Sequence, residues 1–442
     1  MFVKKLHILP FNAMLLEFSV GNYRSFKDLQ TLSMLAAKDS TSGEDSRIIA
    51  TSFGINLLKS KAIYGANASG KSNVIKALFA FLLIVRESLK DESILTKVIQ
   101  PFAFSTETEH QPSFFQIIFV VEDIQYRYGF EATSEKITAE WLMKKSLAKP
   151  RTKEIALFVR ENQDITLHEK HFREGQILLR RNDLVRENSL FLSAVASFHH
   201  SAIARKVSAF IVEIGIISGD STENIHRAAL QKLDTPEFAE RMQFMLQVAD
   251  RSIKSVARKE LTKTELPTNL RAITSFDEMS EQDRFSLAVT KHTKFDAQQS
   301  AIGESELVLA DGGSNGTKKM FELSPVLIDT ILREKVLFID ELEARLHPRL
   351  TRKIIEAFHS IGNHSAQLIF ITHDINLLSD NLLRKEQIAF VDKDKFGASS
   401  LYTLANFKGI LKDTSVSKEY MRGKYGAVPF VGDFASFLGM EE

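Results

Sequence analysis

Gly65-Ala66-Asn67-Ala68-Ser69-Gly70-Lys71-Ser72 is the stretch on which the fold turns. It satisfies G-x-x-x-x-G-K-[ST] and lies between a strand-like run, KAIY (61–64), and a helix-like run, NVIKALFAFLLIVRESL (73–89). A strand before the motif and a helix after it are the context the motif requires. Glycines let the backbone wind around phosphates so that successive N–H groups point inward. Lys71 sets a cation on the β/γ oxygens, Ser72 ligates Mg²⁺, and the helix N-terminus adds its positive partial charge. The alternative is an accidental glycine turn before a helix, and the flanking strand and helix argue against it.

Outward from the loop, composition bounds the rest. At about 150 residues per domain, 442 residues correspond to about three domain-equivalents or one large domain with an insertion. The charges nearly cancel, 57 Lys and Arg against 56 Asp and Glu, with 26% charged and 44% hydrophobic residues. That balance excludes a disordered, collagenous or strongly basic chain. There is no cysteine, which excludes disulfide frameworks, thiolate metal sites and cysteine nucleophiles and fits a cytoplasmic protein. No apolar run is long enough to span a membrane. The opening MFVKKLHILPFNAMLLEF imitates a secretory signal, but Pro10, Asn12 and Glu17 interrupt its apolar run and no small-x-small cleavage site follows. Met14 directly precedes the strand-like LLEFSV, so residues 1–13 are expected to be a dispensable extension.

Residues 15–36 predict two short strands, and FFQIIFVVEDIQYRYGFEAT (114–133) a hairpin around Glu122-Asp123. More short strands are expected to about residue 168. From about 187 to 300 the pattern becomes helical, clearest in EFAERMQFMLQVADRSIKSVARKE (237–260). SELVLADGGSNGTKKMFELSPVLIDTIL (305–332) predicts a loop leading into a helix. KVLFID (335–340) and AQLIFITH (366–373) look like buried strands of a parallel sheet, and QIAFVDK (387–393) like a last strand. The plan is an α/β nucleotide-binding core split by a mixed β and helical section. Heptads are absent, so a complete SMC-type arm is excluded.

VLFIDE (336–341) is an apolar strand ending in adjacent carboxylates. A buried strand delivers its last residues to the carboxyl edge of the sheet, where the phosphate loop also sits. There Asp340 would hold Mg²⁺ through water and Glu341 would orient and deprotonate an attacking water. A solvated turn with two acids is the plain alternative. His373 ends the next apolar strand, either as a capping residue or as a switch that senses the γ-phosphate. The loop Gly312-Gly313-Ser314-Asn315-Gly316-Thr317 starts a helix that either is ordinarily capped or binds a second anion, in the simplest case ATP on a partner subunit. Gln100, in VIQPFAF (98–104), either contacts the metal or water at a strand end or is a surface glutamine.

These motifs, in this order, resemble the ABC-type ATPases of the SMC/RecF lineage. The matches are G-x-N-x-x-G-K-S-N (Gly65 to Asn73), S-x-G-T (Ser314 to Thr317), I-D-E (Ile339 to Glu341), L-H-P (Leu346 to Pro348) and T-H-D (Thr372 to Asp374). More narrowly, the opening MLLEFSVGNYRSFKD, YRYGFEA, LFLSAVA and the tail FKGILKDTSVSKEYMRGKYGAVPFV look like the RloA/abortive-infection branch of bacterial ATP-binding defence proteins. Gly313 departs from an acidic residue common before S-x-G-T.

The resemblance implies an α/β P-loop NTPase, an ABC-ATPase head with an antiparallel β subdomain and a helical insertion. The expected bounds are an N-terminal ATPase lobe at 14–186, the insertion at 187–304 and a C-terminal lobe at 305–442. ATP and Mg²⁺ are the implied cofactors, with Asn73 joining Gly65 to Ser72 at the nucleotide. Also implied is an ATP-sandwich dimer in which Ser314 and Gly316 close over ATP on the other subunit. The expected role is in phage defence, controlling a separate effector. The 69 residues after His373 are too few for the nuclease domain some relatives carry there, and Asp392-x-Asp394 reads as a solvated turn. A DNA-repair or recombination ATPase clamping nucleic acid is the second reading. Residues 201–305 hold 14 Lys and Arg against 15 Asp and Glu, so no arm there is evidently built for phosphates.

Overall fold

The computed structural model describes residues 13–37, 45–149, 152–179, 185–198, 201–218, 222–271, 280, 283–379, 381–410 and 415–429. The expected extension 1–13 lies outside them, except for Ala13, which begins the first strand. The described residues fall into two compact units, one within Met1–Ile216, Glu334–Asp340 and Glu356–Glu442, the other within Ile217–Arg333 and Glu341–Ile355.

In the first unit, β1 (Ala13–Gly21), β2 (Gln30–Ser33), β3 (Ile48–Ala50), β4 (Asn56–Leu58) and β5 (Ser60–Tyr64) precede helix α1 (Lys71–Glu87). After α2 (Ile94–Val98) come β6 (Ser113–Val121), β7 (Ile124–Ala132), β8 (Ile137–Ser146), β9 (Ile155–Glu161) and β10 (Asp164–Leu167). Then follow α3 (Arg173–Leu179), α4 (Phe191–Phe198), α5 (Ala202–Glu213) and β11 (Gly215–Ile217). The second unit holds α6 (Thr222–Lys232), α7 (Pro236–Ala249), β12 (Ile253–Thr262), β13 (Arg284–Phe295), β14 (Ala301–Val308) and α8 (Asn315–Leu332). The chain continues through β15 (Val336–Ile339), α9 (Pro348–Phe358), β16 (Gln367–Ile371), β17 (Ile388–Lys393), β18 (Ser399–Thr403) and α10 (Val416–Met421).

Two large sheets and a two-stranded one, β3-β4, build the first unit. One large sheet is antiparallel, in the order β10-β9-β8-β7-β6-β1-β2. Its β6–β7 hairpin turns at Glu122 and Asp123, both at positive φ (51° and 58°), the conformation that matches the twist of paired strands. The other has the order β11-β15-β16-β5-β17-β18. In it β15, β16, β5 and β17 run parallel and β18 returns antiparallel. β15, β16 and β5 are buried along their whole length, as strands covered on both faces must be. α1 contributes Val74, Ile75, Leu78, Phe81 and Val85 to one core with residues of both sheets. The ring of Phe81 stacks on Phe130 at 5.3 Å. Gln367 ties the sheets together: its Oε1 accepts from Leu15 N–H at 2.7 Å and its amide donates to the carbonyls of Leu15 and Leu58. Buried Glu140 on β8 accepts from the Phe191 and Leu192 N–H groups at 2.6 and 2.9 Å, fixing the start of α4.

The middle of the chain corrects two expectations. Helices fill much of 187–304, but the second unit also holds a three-stranded antiparallel sheet, β12-β13-β14. The helical reading of 237–260 fails after Ala249, where the Asp250 carboxylate accepts from Ser252 N–H and hydroxyl and ends the helix. Ile253, Val256, Ala257 and Leu261 fit a helical period, yet they lie on a strand. A bulge between Ile253 and Ser255 adds one residue and disguises the strand alternation. The segment 305–332 does lead into a helix, α8, but it starts inside β14, an exposed edge strand with no apolar alternation to announce it.

Candidate functional site

The phosphate loop follows β5 directly, and its conformation needs the residues it has. Gly70 is left-handed at φ 106° and Ala68 at φ 61°. A Cβ on Gly65 would stand 2.4 Å from the Val391 carbonyl, and one on Gly70 2.5 Å from the hydroxyls of Ser25 and Ser399. α1 begins at Lys71 with Gly70 at its N-cap and no side-chain cap, and the Asn73 N–H donates to the Gly70 carbonyl at 3.0 Å. Lys71 is buried, and its ammonium donates to the carbonyls of Gly65 (2.9 Å) and Ala66 (2.8 Å). Ser72 and Asn73 are half-buried on the first turn of α1, while Asn67 and Ala68 are exposed.

The loop is braced by two serines that no spacing rule reveals. Asn73 donates its amide to Ser25 Oγ at 2.7 Å. Ser399 donates its hydroxyl to the Ser69 carbonyl at 2.6 Å and its N–H to the Ser25 carbonyl at 2.7 Å. Ser25 lies before the loop and Ser399 on β18, so only the folded sheet brings them together.

Parallel register sets the neighbours. Ile339 of β15 is level with Phe370 of β16, and Ile371 of β16 with Ile63 of β5. The carboxyl ends of the three strands therefore present Asp340, then Thr372-His373, then Gly65, side by side along one edge. Asp340 is half-buried and His373 exposed. Thr372 N–H donates to the Ile63 carbonyl (3.1 Å) and Tyr64 hydroxyl to the Asp374 carbonyl (3.1 Å). Gln100 does not end a strand. It follows the short helix α2, its side chain is exposed, and its carbonyl accepts from Arg24 N–H at 2.7 Å. Asp394 spends a carboxylate oxygen on the Phe396 and Ala398 N–H groups, which makes it the brace of a turn.

In the second unit, Glu341 is exposed at φ 53°, a left-handed setting that costs a side-chain-bearing residue of order 1 kcal/mol. Its carbonyl accepts from Ala344 N–H at 3.0 Å. Ser314 caps α8: its Oγ accepts from Thr317 N–H at 3.1 Å and lies 2.8 Å from Thr317 Oγ1. Thr317 is buried, whereas Ser314 is exposed and Gly316 half-buried. A Cβ on Gly316 would stand 3.1 Å from the Arg345 carbonyl. Lys319, one turn into α8, has its pKa lowered by burial, with the charges of Glu322, Arg345 and Glu341 acting on it in turn. His347 directly precedes α9, its Nδ1 accepting from Arg349 N–H at 3.2 Å.

No helix among the described residues is long and apolar enough to cross a membrane. Three solved structures to which the chain is similar are SMC heads. One is the SmcHead bound to the C-winged helix domain of ScpA, with 13% identity, 88% of this chain and 98% of that chain covered, and a TM-score of 0.43. The SMC head domain from Thermotoga maritima gives 11%, 88%, 98% and 0.40. The Smc head domain with an extended coiled coil, bound to the C-terminal domain of ScpA derived from Pyrococcus furiosus, gives 12%, 88%, 96% and 0.38. No curated protein matches the chain. The family described as "AAA domain, putative AbiEii toxin, Type IV TA system" matches residues 62–379, from β5 through the phosphate loop and the acidic strand end to beyond His373, and the chain belongs to that family of ATPase-type domains.

Proposed function

We propose that this chain binds and hydrolyses ATP, and that nucleotide-driven closure of two copies regulates a separate effector in a bacterial anti-phage system. The observation that carries the ATPase reading is the shared edge on which parallel strands set Asp340, His373 and the braced phosphate loop. The loop fits the β- and γ-phosphates of a nucleotide: its walls leave no room for a Cβ at Gly65 or Gly70, and one buried cation, Lys71, stands inside it. Gly65 to Asn73 would hold the nucleotide through backbone N–H groups and Lys71. Ser72 and Asp340, with Gln100 in a weaker role, would hold Mg²⁺, which neutralises phosphate charge when bound.

In the reaction, the oxygen of water bonds to the γ-phosphorus as the bond to the β–γ bridging oxygen breaks, leaving ADP and phosphate. Glu341 takes the proton of that water, and His373 contacts the γ-phosphate and reports its loss. Ser314, Gly316 and Thr317 close over the nucleotide of a second copy. Their helix start is the anion-binding kind, and a phosphate loop within each chain leaves the partner's nucleotide as its ligand. Hydrolysis alone does not stop a phage, so the output travels by shape to a protein encoded nearby, in the cytoplasm.

The test is phosphate release by the purified chain, then a phage challenge with this gene alone and with its neighbours. Release lost with Lys71→Ala, and protection that needs a second gene, support the reading. Metal-dependent cleavage of DNA or RNA that survives Lys71→Ala, or full protection by this gene alone, would place the effector inside this chain. Salt-sensitive, ATP-dependent DNA binding would favour the repair reading instead.

A further inference from the structure

We propose that Phe104 and Phe396 form the platform on which the base of the bound nucleotide stacks. The proposal rests on the reading of the phosphate loop as an ATP site and adds the residues that take the other end of the molecule.

Strand order gives the direction. β16 and β15, with His373 and Asp340 at their ends, lie to one side of β5; β17 and β18 lie to the other. The γ-phosphate must face the acidic side, so sugar and base run toward β17 and β18. That side overhangs the loop. Phe390 of β17 is level with Tyr64, and Val391 to Lys393 continue as strand beyond it, the Val391 carbonyl walling the site at Gly65. Lys393 pairs with Ser399 at the foot of the β17–β18 turn, and Ser399 bonds the phosphate loop itself. Phe396 is three residues from each foot, so it stands within about 10 Å of Ser399, which itself bonds the loop.

At this place two large aromatic rings are left in solvent. Phe396 is 68% exposed and Phe104 74%. Neither sits on a loose loop. The Phe396 turn is tied by Asp394, whose Oδ1 accepts from the Phe396 and Ala398 N–H groups at 2.9 and 2.8 Å. The Phe104 segment is tied by Asn22, which accepts from Phe102 N–H at 3.0 Å and donates to the Thr108 and Gln111 carbonyls at 2.8 and 2.9 Å. Phe104 meets buried Phe102 edge-on at 5.7 Å. It reaches the same turn, since a Cβ on Gly397 would stand 2.8 Å from its ring. Lys395 lies 5.0 Å from the centroid of the Phe396 ring, a cation against the same ring. Rigid, solvent-facing rings at nucleoside reach from a phosphate loop suit the flat face of a base.

The experiment is calorimetric titration, with Mg²⁺, of ATPγS and of inorganic tripolyphosphate into wild type, Phe104→Ala, Phe396→Ala, the double variant, Phe396→Tyr and Lys71→Ala. Each alanine should weaken ATPγS by roughly tenfold, the effect of losing one base–aromatic stack, and leave tripolyphosphate unchanged. Phe396→Tyr should bind as wild type. Alanine variants that bind ATPγS normally, or that lose tripolyphosphate equally, overturn the platform. Lys71→Ala that binds ATPγS as tightly as wild type overturns the phosphate-loop reading instead, whatever the phenylalanine variants do.

Discussion

The hydroxyl of Tyr64 donates to the carbonyl of Asp374 across 3.1 Å. Tyr64 is the last residue of β5, immediately before the phosphate loop, and Asp374 is the residue after His373. One side chain thus joins the loop that would hold the phosphates to the segment that would sense them. The ring is held in turn by Phe390 at 6.4 Å and by Tyr420 of α10 at 5.8 Å, so the C-terminal segment backs the connection. Burial is complete for Tyr64.

Tyr64→Phe should keep the ring packing and delete only the hydroxyl. A hydrogen bond of this kind contributes about 1 kcal/mol, so we expect kcat to fall about fivefold. ATP affinity should hold, because no phosphate contact is touched. Steady-state hydrolysis beside an equilibrium ATP titration measures the split. A variant with unchanged kcat would show that this bond does not position His373.

Lys71→Ala should abolish or sharply weaken ATP binding, because the loop loses the ammonium now anchored on the Gly65 and Ala66 carbonyls. Glu341→Gln keeps the shape of the acid and removes its basicity. It should bind ATP normally, hydrolyse it at least 10²-fold more slowly, roughly the contribution of a general base, and leave a longer-lived closed dimer. Single-turnover hydrolysis at the wild-type rate would put the base elsewhere.

What the sequence disclosed and what it hid follow from one distinction. The phosphate loop, the buried strands and the Glu122-Asp123 hairpin are written in contiguous residues whose chemistry allows few alternatives. Ser25, Ser399 and Tyr64 act on the same site through contacts made by sheet order; Ser25 and Tyr64 lie in segments the sequence does mark, but nothing local gives them these partners. Gln100 ends no strand, because ILTKV (94–98) forms a helical turn before it, and VIQPFAF leaves a strand end and a surface position equally open. The middle sheet was hidden by a bulge in β12, although Phe285, Leu287 and Val289 of β13 do alternate and were the signal that could have found it.

Acid should weaken the first unit through His359. Its Nε2 accepts from the Gln387 amide at 3.3 Å and lies 2.8 Å from Ser60 Oγ. Burial first, then the charges of Arg47 and Lys59, pushes its pKa from 6.5 down to about 4, against the opposing pull of Asp45 and Glu356. The folded chain thus stays neutral there while the unfolded chain takes a proton. Stability from this group is full above pH 6.5 and is lost as pH falls toward 4, by about 3 kcal/mol. Denaturant unfolding at pH 7.5 and 4.5 should show that loss in wild type and less of it in His359→Gln. Equal pH slopes in the two proteins would contradict it.

Ser314 tests whether two chains share each site, but it also caps α8, and losing a cap costs about 1 kcal/mol. Two substitutions separate these roles. Ser314→Arg removes the cap and places bulk and charge at the helix start. Ser314→Asp keeps a capping oxygen for Thr317 N–H yet sets a carboxylate where the partner's γ-phosphate would lie. Both should bind ATP as single chains and fail to hydrolyse it, and only the arginine variant should lose helix stability. Mixing either with Lys71→Ala then creates one site with an intact phosphate loop facing an intact Ser314, while the other site lacks both. Hydrolysis restored on mixing, up to about half the wild-type rate if one site fires alone, requires residues from two chains in one site. Ser314→Asp protein that hydrolyses ATP normally by itself would show that each chain completes its own site, and the shared dimer would have to be abandoned.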